Sequence, residues 1–243
     1  MIRHLNVTTD LRAFELGEKK TVENELAAKF DRYLSRIAPF GFSGAFLAAR
    51  DKKIFFNKGY GMAIREKNIS NTADTVFCIG SITKQFTAAA IMMLEMKGKL
   101  KTDDSITEYF PDVPKDKQQV TLHHLLTHTA GIVNYVGDDY VIAYRDETVK
   151  KALDAPLLFP PGSSYEYSNV GYSLLGATVE IVSGQSYEEY LHEHLFKPSG
   201  MFFTGYRIPK WQERTVATWY VGEKSFRLSL DTHNQPHWNV IGN

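Results

Sequence analysis

Phe77-Cys78-Ile79-Gly80-Ser81-Ile82-Thr83-Lys84 sets a serine and a lysine three residues apart at the start of an apolar helix. Ile82, Phe86, Ala89, Ala90, Met93 and Met96 recur at three- and four-residue spacing, and Gly98 ends the pattern. Residues i and i+3 share a helix face, so Ser81 Oγ and Lys84 Nζ fall within reach of each other. A serine hydroxyl is a weak nucleophile until a base takes its proton. A lysine serves as that base only where desolvation or nearby positive charge favours its neutral form. The positive end of an apolar helix supplies both conditions. Ser81 is therefore the candidate nucleophile and Lys84 its candidate activator. Ser-x-x-Lys alone is a short pattern of common residues, so its company in the chain has to decide.

The composition sets bounds. The chain has 243 residues, 43% hydrophobic and 23% charged, which suits a globular protein with a sizeable core. Lys plus Arg (28) balances Asp plus Glu (28), so no net field argues for nucleic acid or an anionic membrane as partner. A single cysteine, Cys78, excludes an internal disulfide and a cysteine-based metal cluster; its apolar setting predicts a small buried hydrophobe. No apolar run approaches the ~18 residues of a membrane span. Residues Met1 to Lys20 are polar, without an apolar signal core, which suits a cytoplasmic protein or one whose leader has been removed.

The pattern predicts an amphipathic helix from about Thr21 to Ala38 (Val22, Leu26, Phe30, Leu34, Ile37) closed by Pro39. Gly44–Arg50 and Lys53–Tyr60 read as a β-hairpin turning at Asp51-Lys52. Beyond Gly98 the chain reads as mostly helical. A short helix at Thr121–His128 is stopped by Gly131, and another runs from about Val170 to Val182, stopped by Gly184. A capping box at Ser186-Tyr187-Glu188-Glu189 opens one more, which ends before Pro198. After Gly200 the aromatic runs predict a hairpin around Gly222.

The second chemical element is Tyr167-Ser168-Asn169, which follows Phe159-Pro160-Pro161-Gly162 and opens a helix. A tyrosine near an ammonium loses its proton more easily, making Tyr167 a candidate general acid/base. Asn169 offers both a donor and an acceptor, suited to orienting Lys84 and a substrate amide. Both residues could equally serve as turn and cap residues.

Taken in order, Gly80–Lys84, His124-Leu125-Leu126-Thr127-His128-Thr129-Ala130-Gly131, and the run from Phe159 through Tyr167-Ser168-Asn169 to Gly176 resemble the serine β-lactamase and penicillin-binding-protein superfamily. The likeness is to the branch holding class C β-lactamases, D-alanyl-D-alanine carboxypeptidases, D-amino-acid peptidases and β-lactamase-like esterases. It extends from about Leu26 to the C-terminus and includes Val182-Ser183-Gly184 and Phe196–Met201. The resemblance implies an α+β, β-lactamase/transpeptidase-like fold, with a helical region inserted between strands of an antiparallel sheet. It also implies a polar extension over residues 1–20 and a β-lactamase-like domain over 21–243: helix and hairpin at 21–60, then a mostly helical region at 61–243 carrying both motifs.

By the same resemblance, Ser81 is the acylated nucleophile and Lys84 the base or proton relay. Tyr167 is the general base that also activates the deacylating water, and Asn169 binds Lys84 and the substrate amide. The Ser81 backbone N–H forms half of the oxyanion hole. The implied activity is a serine hydrolase working through an acyl-enzyme on an amide, lactam or ester, with no cofactor and no metal.

The family's third motif, a His or Lys followed by any residue and Gly, has no convincing counterpart late in this sequence. The chain is therefore expected to stop before the last core strands and closing helix, leaving sheet edges and part of the Ser81 helix uncovered. Completion by another polypeptide, a swapped copy or the rest of a longer gene product follows from that expectation. So does the alternative of a non-catalytic binding or regulatory module.

Other features read as structural. His124 and His128 lie i, i+4 on the predicted helix, a zinc-compatible spacing, but lack an intervening Glu and a third ligand. His192 and His194 point to different faces. Asp103-Asp104 reads as a turn and cap, and Trp211, Trp219 and Trp238 as packing residues rather than an acyl pocket. No Gly-x-Ser-x-Gly elbow surrounds any serine, which disfavours an α/β-hydrolase.

Overall fold

The computed structural model of the chain describes residues 25–138, 141–205, 215–221, 224–226 and 238. They divide into two units: Met1–Cys78 with Trp211–Arg227, and Ile79–Lys210 with Leu228–Asn243. The helical stretch is thus inserted, along the chain, between strands that belong to one unit.

In the strand-bearing unit, helix α1 spans Glu25–Ile37 and runs into a single 3₁₀ turn at Ala38–Phe40 that contains Pro39. Its buried stripe is Ala27, Phe30, Leu34 and Ile37; Leu26 lies one position off this row and faces solvent. Strands β1 (Gly44–Arg50) and β2 (Lys53–Tyr60) pair antiparallel from Gly44↔Tyr60 to Arg50↔Lys53, with a bulge at Ala48/Ala49. Asp51 (φ 52°) and Lys52 (φ 62°) both take left-handed backbone at the turn, the handedness that matches the twist of a two-residue hairpin.

The stripe of α1 packs on the hairpin through rings. Phe30 lies 5.3 Å from Phe46 and 5.9 Å from Phe56, and Phe46 meets Phe56 edge-on. Asp31 fixes the register between helix and strand by accepting from Lys58 Nζ and Tyr60 OH, each at 2.7 Å. Those bonds hold its carboxyl below the usual carboxylate range, and burial with the Asp31 charge pushes the Tyr60 phenol up.

Two further pairs complete the strands. β3 (Met62–Ile64) pairs with β4 (Ile69–Ser70), and β5 (Trp219–Val221) pairs with β6 (Lys224–Phe226) antiparallel, as the expected hairpin requires, with Gly222 itself outside the described residues. The segment before β5 joins the same unit, where Thr218 N–H donates to Ala63 O and Val216 bridges Val76. β3 and β4 are too short to give the alternating pattern by which strands are read.

The helical unit is built around α5 (Asn169–Ser183), which is buried on every side from Asn169 through Val179. A helix apolar all round needs neighbours all round. They are α2 (Lys84–Met96), α3 (Leu122–Leu126), α4 (Arg145–Asp154) and α6 (Tyr187–Leu191). Leu174, Leu175 and Val179 are fully buried, each contributing roughly 1.5–3 kcal/mol of transfer free energy. Glu180 links three elements, taking Arg145 Nη1 from α4 at 3.2 Å and the Tyr187 N–H of α6 at 2.8 Å.

Gly184 caps α5 by donating to Glu180 O. Ser186 and Glu189 form the expected capping box at α6, which continues as a π-helical turn over His192–Phe196. α2 leaves Met92 and Met96 exposed, the latter at 86%. Among the described residues, no helix is long and apolar enough to cross a membrane.

Candidate active site

Gly80 enters a 3₁₀ turn over Gly80–Thr83, and α2 begins at Lys84. Ser81 therefore sits on the tighter helix rather than on the α-helix proper. With three residues per turn, i and i+3 eclipse, so the serine stands directly over the lysine. Lys84 Nζ reaches Ser81 Oγ at 3.4 Å, a long contact, and donates to Asn169 Oδ1 at 2.8 Å. Tyr167 OH donates to Ser81 Oγ at 2.8 Å. The four predicted site residues thus converge, although 85 positions separate Lys84 from Asn169. Lys84 and Asn169 are buried, and the Lys84 ammonium faces the rings of Tyr167 and Tyr172, 4.8 and 5.3 Å from their centroids.

A braced loop presents Tyr167. Residues 128–131 accept from it in sequence: Leu158 N–H to Gly131 O (2.8 Å), Gly162 N–H to Thr129 O (2.8 Å) and Glu166 N–H to His128 O (3.0 Å). Gly131 adopts φ +72°, and a Cβ there would run into the Phe159 carbonyl, so glycine is required both for the turn and for the approach. At the far end Ser168 caps α5. Its Oγ accepts the Gly171 N–H at 2.8 Å and donates to Val133 O at 2.9 Å. Asn134 completes the cap, its Oδ1 taking the Asn169 N–H at 2.9 Å.

A Beta-lactamase family model matches residues 37–238. The chain belongs to the Beta-lactamase family. It is 38% identical over 187 residues to PbpX of Bacillus subtilis (strain 168), covering 77% of this chain and 46% of PbpX. Among solved structures it is similar to the octameric penicillin-binding protein homologue from Pyrococcus abyssi, with a TM-score of 0.72, 30% identity, and coverage of 89% of this chain and 52% of that one. It is also similar to SurE with D-Leu, with a TM-score of 0.61, 32% identity, and coverage of 70% and 38%. The chain thus spans about half the length, or less, of these relatives. The fold is the β-lactamase/transpeptidase-like α+β arrangement that the motifs implied.

Against this family frame, three sequence expectations need correction. His124 and His128 do not share a helix: α3 ends at Leu126, and His128 takes left-handed backbone at φ 59°. The backbone reverses there to lead into Gly131, which turns the imidazole away from its predicted row. His124 instead closes the capping box of α3, its Nδ1 accepting the Thr121 N–H at 3.2 Å. Among the described residues, no group of three His, Cys, Asp or Glu could hold a metal ion.

Cys78 is exposed rather than buried, because it precedes the 3₁₀ turn on an irregular segment that has no apolar face to turn inward. The tryptophans divide. Trp238 is buried in the helical core, Trp219 is 57% exposed, and Trp211 lies outside the described residues. Of the other pair of histidines, His192 is exposed and His194 packs on Tyr190 at 4.5 Å. Asp104 is the turn acceptor expected, taking the Lys101 N–H and Tyr109 OH at 2.7 Å each.

Sequence reading missed His128, Asn134 and Tyr172 as site residues. The His128 ring lies 4.5 Å from Tyr167 and 5.1 Å from Tyr172, and its Nδ1 accepts the Ser168 N–H at 3.1 Å. Burial first, and the Lys84 charge second, hold this imidazole below the ordinary histidine range. Tyr172 donates to Leu126 O at 3.0 Å, and burial pushes its phenol up. A signal for His128 existed in its place within the His-Thr-x-Gly run, but the chemistry it serves is visible only once the 158–168 loop is folded against it.

Proposed function

We propose that this chain carries the acylating centre of a serine hydrolase that acts on an amide, lactam or ester carbonyl. The observation that carries the reading is the convergence on Ser81 Oγ of Tyr167 OH at 2.8 Å and Lys84 Nζ at 3.4 Å, with Lys84 held by Asn169. A serine between two proton-exchanging groups, one of them buried, is the arrangement nucleophilic catalysis needs. Penicillin binding and D-Leu, in the names of two similar proteins, support a lactam or a D-residue amide ahead of a simple ester.

The two contacts on Ser81 Oγ suggest the roles. With the phenol donating to Ser81 Oγ, the acceptor for the Ser81 proton is Lys84 Nζ, once the resting ammonium has released a proton. One Nζ–H then stays on Asn169 Oδ1 while the lone pair faces Ser81. Ser81 Oγ bonds to the carbonyl carbon as its proton passes to Lys84. The Ser81 backbone N–H is suited to the developing oxyanion. As the bond to the leaving group breaks, Tyr167 supplies that group's proton and becomes the phenolate. The phenolate takes a proton from the water that attacks the acyl ester, and Lys84 returns its own to Ser81 Oγ. The bond from Ser81 Oγ to the acyl carbon breaks as this proton returns, the water's hydroxyl stays on the acyl product, and its proton replaces the one Tyr167 gave to the leaving group.

The test is intact-mass analysis after treatment with a fluorophosphonate and with a labelled penicillin. One adduct on Ser81, absent in Ser81→Ala and strongly slowed in Lys84→Met, is the expected result. Lack of any adduct under conditions that label a penicillin-binding control would turn the reading towards a non-catalytic binding module. An undiminished rate in Lys84→Met would remove the assigned base.

A further inference from the structure

His128 touches the residue on either side of Tyr167 and Tyr167 itself. Its carbonyl accepts the Glu166 N–H at 3.0 Å, its Nδ1 accepts the Ser168 N–H at 3.1 Å, and its ring lies 4.5 Å from the Tyr167 ring at 34°. One residue in left-handed backbone thus holds three consecutive positions of a segment about 40 residues later. We propose that His128 is a positioning residue: its neutral imidazole clamps Tyr167 against Ser81, and protonation at Nδ1 opens the clamp. This rests on the reading of Tyr167 as the group that exchanges protons at Ser81.

The chemistry of the acceptor makes the clamp conditional. A neutral imidazole that accepts at Nδ1 carries its proton on Nε2. In the cation both nitrogens are donors, so an N–H at Nδ1 would confront the Ser168 N–H and neither could be satisfied. The groups facing the ring are Lys84 from α2, Tyr165 and Tyr167 from the loop, and Tyr172 from α5. None of these is an anion in its ordinary state, so a protonated His128 meets no countercharge among them.

The sign follows. The clamp is complete above the ordinary histidine value of 6.5 and is lost as pH falls through the lower value of the folded protein.

Two substitutions separate side-chain chemistry from backbone strain. His128→Asn places an acceptor oxygen where Nδ1 stands, does not titrate, and tolerates left-handed backbone. His128→Gly removes the side chain and also tolerates that backbone. In a ¹⁵N NMR titration of the full chain, the Ser168 amide should move with the midpoint of the His128 imidazole, and this dependence should vanish in His128→Asn. Acylation of Ser81 by a fluorophosphonate should fall about tenfold below that midpoint, the kinetic equivalent of one lost hydrogen bond. His128→Asn should keep the high-pH rate and lose the step at the His128 midpoint, while His128→Gly should be slow at every pH.

A Ser168 amide that ignores the His128 titration overturns the proposal, as does a His128→Asn variant no better than His128→Gly. Failure of Ser81 to acylate at any pH, with Ser168 still following His128, would remove the hydrolase reading and leave the clamp supported.

Discussion

Replacing Asn169 by alanine tests how Lys84 is held. The lysine is buried, and its Nζ donates to Asn169 Oδ1 at 2.8 Å and approaches Ser81 Oγ at 3.4 Å. Removing the amide deletes this short bond from a buried amine, a loss of about 1.5–3 kcal/mol for a hydrogen bond to a charged group. The rings of Tyr167 and Tyr172 still face the ammonium and keep the loss towards the lower part of that range. The Asn169 backbone N–H keeps its bond to Asn134, so the α5 cap survives the substitution.

Asn169→Ala should therefore unfold at a urea midpoint lower by roughly 1 M, for an m-value of roughly 2 kcal/mol/M. Lys84→Met removes the charge that needs a partner. In the double variant, Asn169→Ala should then cost little beyond the lysine change, with a coupling of about 1.5 kcal/mol or more. The assay is urea unfolding followed by far-UV circular dichroism on the wild type, both single variants and the double. Additivity within about 0.5 kcal/mol would refute the argument, since the short contact would then carry no energy.

Gly131→Ala should destabilise the helical unit by at least 2 kcal/mol or so, combining left-handed strain with displacement of the Phe159 carbonyl. Equal thermal midpoints for the two proteins would contradict that. Asp31→Asn should lower stability near neutral pH by roughly 1 kcal/mol, because Asp31 and its partner Lys58 are partly exposed. The Asp31 carboxyl is held below its ordinary 3.8, so its contribution is full above that value and vanishes as pH falls through the lower folded one. Wild type and variant should converge in acid, and a gap that persists below about pH 2 would argue against the bond. Cys78, being exposed, should take one equivalent of iodoacetamide in the folded protein, read by mass spectrometry; protection until urea is added would place it in a buried site.

The parts of this protein that were legible in the sequence are those decided within one or two turns of chain. Ser81 and Lys84 are neighbours by helical spacing, the Ser186–Glu189 box is a local exchange of hydrogen bonds, and the β1–β2 hairpin follows from its own turn. Asn169 was legible through motif order, and it lies 2.8 Å from Lys84 Nζ. Asn134 was not legible, because an asparagine after a glycine turn carries no local mark of the helix it will cap 35 residues later. Cys78 misled because an apolar neighbourhood in sequence predicts burial only where a regular element gives it an inward face. Helix α4 (Arg145–Asp154) is dominated by charge, and its Glu147–Lys151 and Lys150–Asp154 pairs hold an exposed face that hides its short apolar row.

The bracing of the 158–168 loop also separates what can vary from what cannot. Leu158, Gly162, Glu166 and Ser168 are each fastened to residues 128–131, whereas Ser163, Ser164 and Tyr165 between them are exposed. Length or chemistry added at Ser163 or Ser164 is absorbed between the fastened Gly162 and Glu166, whereas Tyr165 also meets the His128 ring. The tip is thus a place where the loop can vary while the bonds on either side of Tyr167 keep their spacing. In this unit, sequence can change at the tip without the fastened positions being rebuilt.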